Sequence, residues 1–298
     1  MIDLTTASIF MATHARLLDR RRLDLLLDAG SPDPLLTALA AYRNPDGGFG
    51  WGIEPDMRSP TSQPVGAYHA FELLEAAAPA ASPMGVGLCD WLASVALPGG
   101  GIPFALEGAA APGSSPVWSH ADTTVPSLHI TSAICANAHR VAVHDPAVAT
   151  HAWLAEGTDW CMETIAGLDA PRGAYELRFA LQLLDAVADA RPRARALMER
   201  LVRNLPPSWE APVAGGLADE KLHPLEFSPR PQGALRELAP ADAIARDLER
   251  LERGQRDDGG WTVDFAAGSP AAELEWRGHF TVLALTTLHA HGRLPAHQ

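Results

Sequence analysis

Five polar clusters stand at the junctions between the helix-patterned stretches of this chain. They are Glu54, Asp56 and Arg58; His120, Asp122 and Thr124; Tyr175, Glu176 and Arg178; Glu220, His223 and Glu226; and Asp264, Glu273, Glu275, Trp276, Arg277 and His279. Polar groups facing an apolar cavity are costly unless paired, so their repeated placement suggests use. A carboxyl or an imidazole can move a proton. A carboxylate pair such as Asp56 and Glu275 suits attack on a sugar linkage when about 5–10 Å separates the two groups. The forks of Arg58, Arg178, Arg230 and Arg277 match a diphosphate. Each feature also has a structural explanation. Asp122 with Thr123 and Thr124 is a composition that caps a helix. Glu176 and Arg178, like Glu275 and Arg277, are two residues apart and point in different directions on a helix, so each pairs elsewhere. His69, His129, His139, His144 and His151 are isolated and lack metal-ligand spacing.

The elements that must position these groups read as helices throughout. Thr6 to Leu27 has helical spacing and ends at Gly30-Ser31-Pro32. Asp33 and Pro34 open the next helix, to Tyr42. Further helical patterns run over 64–78, 84–97, 126–141, 147–165, 173–190, 193–205, 241–254 and 271–288. The prolines of 217–230 favour an extended or looped segment there. No strand-rich region is evident, which leaves about five helical hairpins plus an N-terminal helix that could pair with the last one.

Two corners between helix pairs are alike. Gln255-Arg256-Asp257-Asp258-Gly259-Gly260-Trp261 joins one pair, and Arg43-Asn44-Pro45-Asp46-Gly47-Gly48-Phe49 joins another. Gly101-Ile102-Pro103-Phe104 has the look of a worn third copy. Recurrence between helix pairs is the mark of a repeat architecture. Gln-x-x-x-Gly-x-Trp is the QW motif, and the chain resembles the terpenoid cyclase and protein prenyltransferase β-subunit superfamily, squalene–hopene cyclase included. Gln255 and Trp261 match it fully; Arg43 and Phe49 replace them in the first corner.

The resemblance implies an all-α fold, an α/α toroid of about five to six helical hairpins, as one domain over 1–298. It implies a small apolar substrate, an isoprenoid or a prenyl diphosphate, in a central cavity. Protonation-initiated cyclases carry Asp-x-Asp-Asp or Asp-x-Asp-Thr-Thr, whose middle Asp protonates the substrate. Asp122 takes that place, Thr123 and Thr124 match the variant, and His120 stands where the first Asp would be. Such chemistry needs a dry acid and aromatic faces for the cation. Trp51, Trp118, Tyr175, Trp261, Trp276 and Phe280 are candidates for those faces. Asp56, Arg58, Glu176, Glu275, Arg277 and His279 complete the expected substrate-binding set. The superfamily's zinc proteins hold the metal with an Asp, a Cys and a His; no metal is expected here, and Mg²⁺ only with a diphosphate. The alternatives are a non-catalytic toroid that binds an apolar ligand or a partner protein, and a carbohydrate-active toroid using Asp56 and Glu275. Gln255 and Trp261 themselves read as structural, tying helix ends.

Composition limits the partners. The 298 residues are 47% hydrophobic and 20% charged, enough apolar mass for a large core. A net charge of −13 argues against nucleic acid, which needs clustered Lys and Arg. Cys89, Cys135 and Cys161 are too scattered for a disulfide framework. No apolar run reaches the roughly 20 residues of a membrane span, and the N-terminus is not a signal peptide. A cytoplasmic location is the expectation.

Overall fold

The computed structural model describes residues 2–28 and 30–295. Its helices are α1 (Leu4–His14), α2 (Leu17–Asp28), α3 (Asp33–Ala40), α4 (Pro64–Ala76), α5 (Pro83–Val95), α6 (Leu128–Ala142), α7 (Pro146–Ala149), α8 (Ala152–Gly167), α9 (Ala174–Val187), α10 (Pro192–Val202), α11 (Pro224–Phe227), α12 (Ala234–Leu238), α13 (Ala241–Arg253) and α14 (Pro270–Ala290). Two-residue strands β1 (Ala211–Pro212) and β2 (Lys221–Leu222) pair antiparallel. The chain is thus mostly helical, as expected. Proline stands in the first turn of seven helices, where its missing N–H costs nothing.

The helix expected over 6–27 is two helices. Ala15 is extended, at φ −81° and ψ 155°. Gly278 of α14 crosses there so closely that an added Cβ would lie 2.8 Å from Ala15 Cβ. Arg16 then turns inward. Its guanidinium donates to the Ile53 carbonyl at 2.8 Å and to Asp19 Oδ2 at 2.8 Å. The pattern expected over 147–165 also splits, because His151 caps α8 by accepting from Trp153 N–H.

Helix packing follows the chain. α2 packs on α3, α3 on α4, α4 on α6, α6 on α9, α9 on α11, α11 on α13, and α13 on α14; α14 then packs on α1 and α2. α5 lies on α4, α8 on α6 and α9, and α10 on α9. Helix α6 is buried nearly all round, Thr131, Ser132 and Asn137 included. A second core joins the two ends of the chain: Phe10, Met11 and Leu23 meet Ile244, Leu248, Trp261, Val282 and Leu285.

The glycine corners share one backbone design, and the third copy is real. In each, one residue's N–H donates to the carbonyl four residues on, and the N–H three residues on donates back. The sets are Asn44 with Gly48 and Gly47, Leu97 with Gly101 and Gly100, and Arg256 with Gly260 and Gly259, all at 2.8–3.0 Å. The middle glycine sits at φ 94°, 94° and 93°. Its bare Cα abuts another helix's backbone: Gly47 meets Gly87 of α5, Gly100 meets Glu156 and Gly157 of α8, and Gly259 meets Thr6 and Ala7 of α1. The next glycine lies against an aromatic ring of that same helix, Trp91, Trp160 or Phe10. In the third copy Ile102, not Phe104, therefore occupies the place of Phe49 and Trp261.

Gln255 and Trp261 act as the sequence suggests. Gln255 Nε2 donates to the Asp3 and Gly259 carbonyls, and its Oε1 accepts from Asp3 N–H at 2.8 Å. Trp261 Nε1 donates to the Leu251 carbonyl at 2.8 Å.

Candidate functional site

Several expected binding residues turn out to be staples. Asp56 Oδ2 accepts from Trp276 Nε1 at 2.8 Å, and its Oδ1 accepts from Gly268 N–H at 2.7 Å. Its carbonyl accepts from Trp118 Nε1 at 3.1 Å. One residue thus ties three segments, and neither carboxylate oxygen is free. Arg58 and Glu275 form an ion pair, with Nη1–Oε1 at 3.1 Å and Nη2–Oε2 at 2.9 Å. The second approach lies off hydrogen-bond geometry. The pair of acids proposed for sugar chemistry is therefore already engaged on both members. Arg277 belongs to the last corner. Its Nη2 donates to both Asp258 oxygens at 2.8 Å, and its guanidinium covers the Phe10 ring. Trp51 stands out on the surface, 60% exposed, with Nε1 donating to Asn44 Oδ1.

The His120–Thr124 segment is a surface loop. His120, Asp122 and Thr124 are all exposed. Asp122 Oδ1 accepts from Thr124 Oγ1 at 2.6 Å and from its N–H at 2.8 Å, and these bonds hold its pKa below the usual carboxylate value. It is a turn former, not the cap of α6, which begins later with Ser127 in the capping place. An exposed, ionised carboxylate lacks the dry setting an alkene-protonating acid needs. Asp122 and His120 nonetheless border a cleft of about 330 Å³. Phe104, Val125, Leu128, Trp160 and Leu168 give it apolar walls, and Arg172 and Glu176 stand on it as well. Glu176 Oε1 accepts from Arg172 N–H at 2.8 Å.

From Phe104 an unbroken arc of rings runs inward. Phe104 stacks on Trp118 at 5.3 Å and meets His129 at 5.2 Å. His129 of α6 stacks on Tyr175 and Phe179 of α9 at 5.8 and 5.1 Å. Phe179 meets Tyr68 of α4 at 5.5 Å, and Tyr68 meets His69. His69 then faces His279 and Trp276 of α14 at 5.3 and 6.1 Å, and Trp276 continues to Phe265 and Phe280. Four helices supply one aromatic surface. Arg178 lies over the Phe179 ring, 3.5 Å from Glu226.

Charge collects at the far end of the arc. His69 Nε2 donates to Glu54 Oε2 at 2.7 Å, and its Nδ1 donates to Glu72 Oε2 at 2.9 Å. Burial alone would depress the His69 pKa. The bonds to Glu54 and Glu72 outweigh it and lift the pKa to about 9, so the ring is an imidazolium. Burial would likewise raise the Glu72 pKa, but the His69 bond holds it well below the usual range. Tyr68 Oη donates to Glu72 Oε1 at 3.3 Å. Beside them His279 is pushed down to about 3 by burial and is neutral. Ligand atoms of His69, Glu72 and His279 all lie within 4.8 Å of one another.

Of the expected residues, the fold thus brings Trp118, Tyr175, Trp276, His279 and Phe280 into the arc, and Asp56 bonds two of its rings, Trp118 and Trp276. Sequence reading missed His69, Glu72 and His129. His69 and Glu72 are three apart on a helix, which puts them on one face. Nothing in the sequence placed His279 beside them.

No protein-family model matches the chain, and a search of curated proteins finds no match to it. Among the described residues no helix is long and apolar enough to cross a membrane.

Proposed function

We propose that the chain is an α/α toroid of the terpenoid-cyclase kind, and that its aromatic arc and adjoining cleft bind a small apolar molecule of the isoprenoid class. The helix contacts that lead from α2 round to α14 and back support the ring. So do the three corners, the last of which docks on the first helix. The observation that carries the ligand class is the arc itself. Aromatic faces continue from Phe104, on the cleft wall, to Trp276, and such faces suit an apolar chain or a cationic centre on it. A cleft of about 330 Å³ is of ligand size.

Binding is the reading supported best. Cyclisation or isomerisation started by Asp122 is the second, favoured by one observation: Asp122 borders the cleft. A ligand that sealed the cleft would also have to raise the Asp122 pKa by excluding water. The sugar-directed alternative has less support, because Asp56 and Glu275 are both paired.

The test is titration of the purified protein with sesqui-, di- and triterpenoid precursors, read by tryptophan fluorescence, with extracts analysed by mass spectrometry. At least one precursor should bind on the order of micromolar. Phe104→Ala should weaken that binding about tenfold, the cost of one large apolar contact. Asp122→Asn should leave affinity unchanged, since asparagine can form the same turn. A product lost in Asp122→Asn would establish the acid role. Absence of binding across the panel would overturn the isoprenoid reading.

A further inference from the structure

We propose that His69, Glu72 and His279 form a binding site for a divalent transition-metal ion of the zinc or iron(II) class. The convergence of their ligand atoms, within 4.8 Å of one another from helices α4 and α14, is the primary observation. Two imidazoles and one carboxylate suit zinc or iron(II), whereas magnesium and calcium favour all-oxygen sites. Three protein ligands leave coordination positions open for water or a substrate oxygen.

The surroundings are those of a ligand set. Glu54 accepts from His69 Nε2 at 2.7 Å, which fixes the ring and leaves Nδ1 to face Glu72. A carboxylate behind a ligating histidine orients it and raises its basicity. Tyr68 gives Glu72 a comparable support through Oε1, leaving Oε2 for the ion. The His279 side chain is 6% exposed and has no hydrogen-bond partner among the described residues, so its lone pair is unclaimed. Glu72, 13% exposed, leaves a route from solvent.

Charge balances simply. On binding, the ion displaces the Nδ1 proton shared with Glu72, and that proton passes to solvent. His69 becomes neutral, Glu72 stays a carboxylate, and His279 contributes its lone pair.

The test is titration of chelator-stripped full-length protein with Zn²⁺ by calorimetry and with Co²⁺ by visible absorption. One ion per chain is expected, with Kd on the order of micromolar or tighter. Co²⁺ should show the intense visible bands of a site with fewer than six ligands. His279→Ala leaves the Glu54–His69–Glu72 chain intact and should lose roughly a hundredfold in affinity. His289→Ala, on the surface, should lose none. Paramagnetic shifts in the Co²⁺ protein count the histidine ligands without any substitution, and two are expected. No uptake by the wild-type protein, fewer than two shifted imidazoles, or unchanged affinity in His279→Ala would each overturn the site.

Discussion

Replacing His69 by leucine is expected to lower the unfolding free energy by about 3–5 kcal/mol, the cost of breaking a buried charge network by removing one member. The imidazolium donates to Glu54 at 2.7 Å and to Glu72 at 2.9 Å. Leucine has nearly the same bulk, so little of the loss comes from a cavity. It leaves two carboxylates turned toward the same apolar side chain, and they repel each other. Each can escape only by taking a proton or by drawing in water. The deficit should therefore shrink as pH falls toward 4, where protonation removes the charge. Urea unfolding of metal-free wild type and variant, at neutral pH and near pH 4.5, measures both effects. A deficit under about 1 kcal/mol at neutral pH would mean the network is solvated and carries little.

The same groups fix how wild-type stability varies with pH in the presence of chelator. His69 has a folded pKa of about 9, above the unfolded value. Its contribution is complete below about pH 6.5 and is lost as pH rises through 9. The shift corresponds to about 3 kcal/mol. On the acid side His129 and His139, at about 4, and His279, at about 3, are held neutral by burial. Unfolding lets each take up a proton, so their contribution is present above about pH 6.5 and lost as pH falls toward those values. Glu72, with a lowered pKa, works in the same direction at lower pH. A stability maximum near pH 6.5 is the expected result, and a plateau from 7 to 9 would contradict the pairing drawn for His69.

Much of the scaffold was legible in the sequence, because helix spacing and glycine corners are local signals. The turn of the corner is local, with Arg256, Asp258, Gly259 and Gly260 bonded within a few positions of one another, so its own geometry is announced directly, while its docking on Asp3 and Thr6 is not. The third corner was harder, since Leu97 and Ile102 replace the polar and aromatic members and only the glycines remain. The site was far less legible. Asp122 looked like an acid because of its neighbours in sequence, but an acid is made by its neighbours in space, and those are water and Thr124. Arg277 looked free for an anion until Asp258 and Phe10 were found against it. His69 looked isolated because its partners come from a loop before it, the next turn of its own helix and the last helix of the chain.

Gly259→Ala should be the most damaging single-methyl change in the chain, costing about 3 kcal/mol or more. Two effects add. At φ 93° any side chain is strained, worth about 1–2 kcal/mol. An added Cβ would also lie 2.2 Å from the Thr6 carbonyl oxygen, and backbone cannot turn aside as a side chain can. Gly215 separates the two effects. Its φ is 82°, yet nothing lies within 4 Å of its added Cβ, so Gly215→Ala should show the strain alone. The excess of Gly259→Ala over Gly215→Ala then measures how tightly the last corner is pressed onto α1. Gly47 and Gly100 press onto α5 and α8 in the same way, but each of those helices follows its corner, with α4 intervening before α5 and α6 and α7 before α8. Only Gly259 presses onto a helix from the other end, beside the Gln255 clamp on Asp3. If both alanine variants cost the same in urea unfolding, the two ends of the chain are not held together by this contact, and the proposed ring loses its main physical support. If Gly259→Ala alone also exposes the α1 segment to protease under native conditions, the corner is the clasp between the two ends of the chain: a local glycine turn whose effect is to join residues that the sequence places farthest apart.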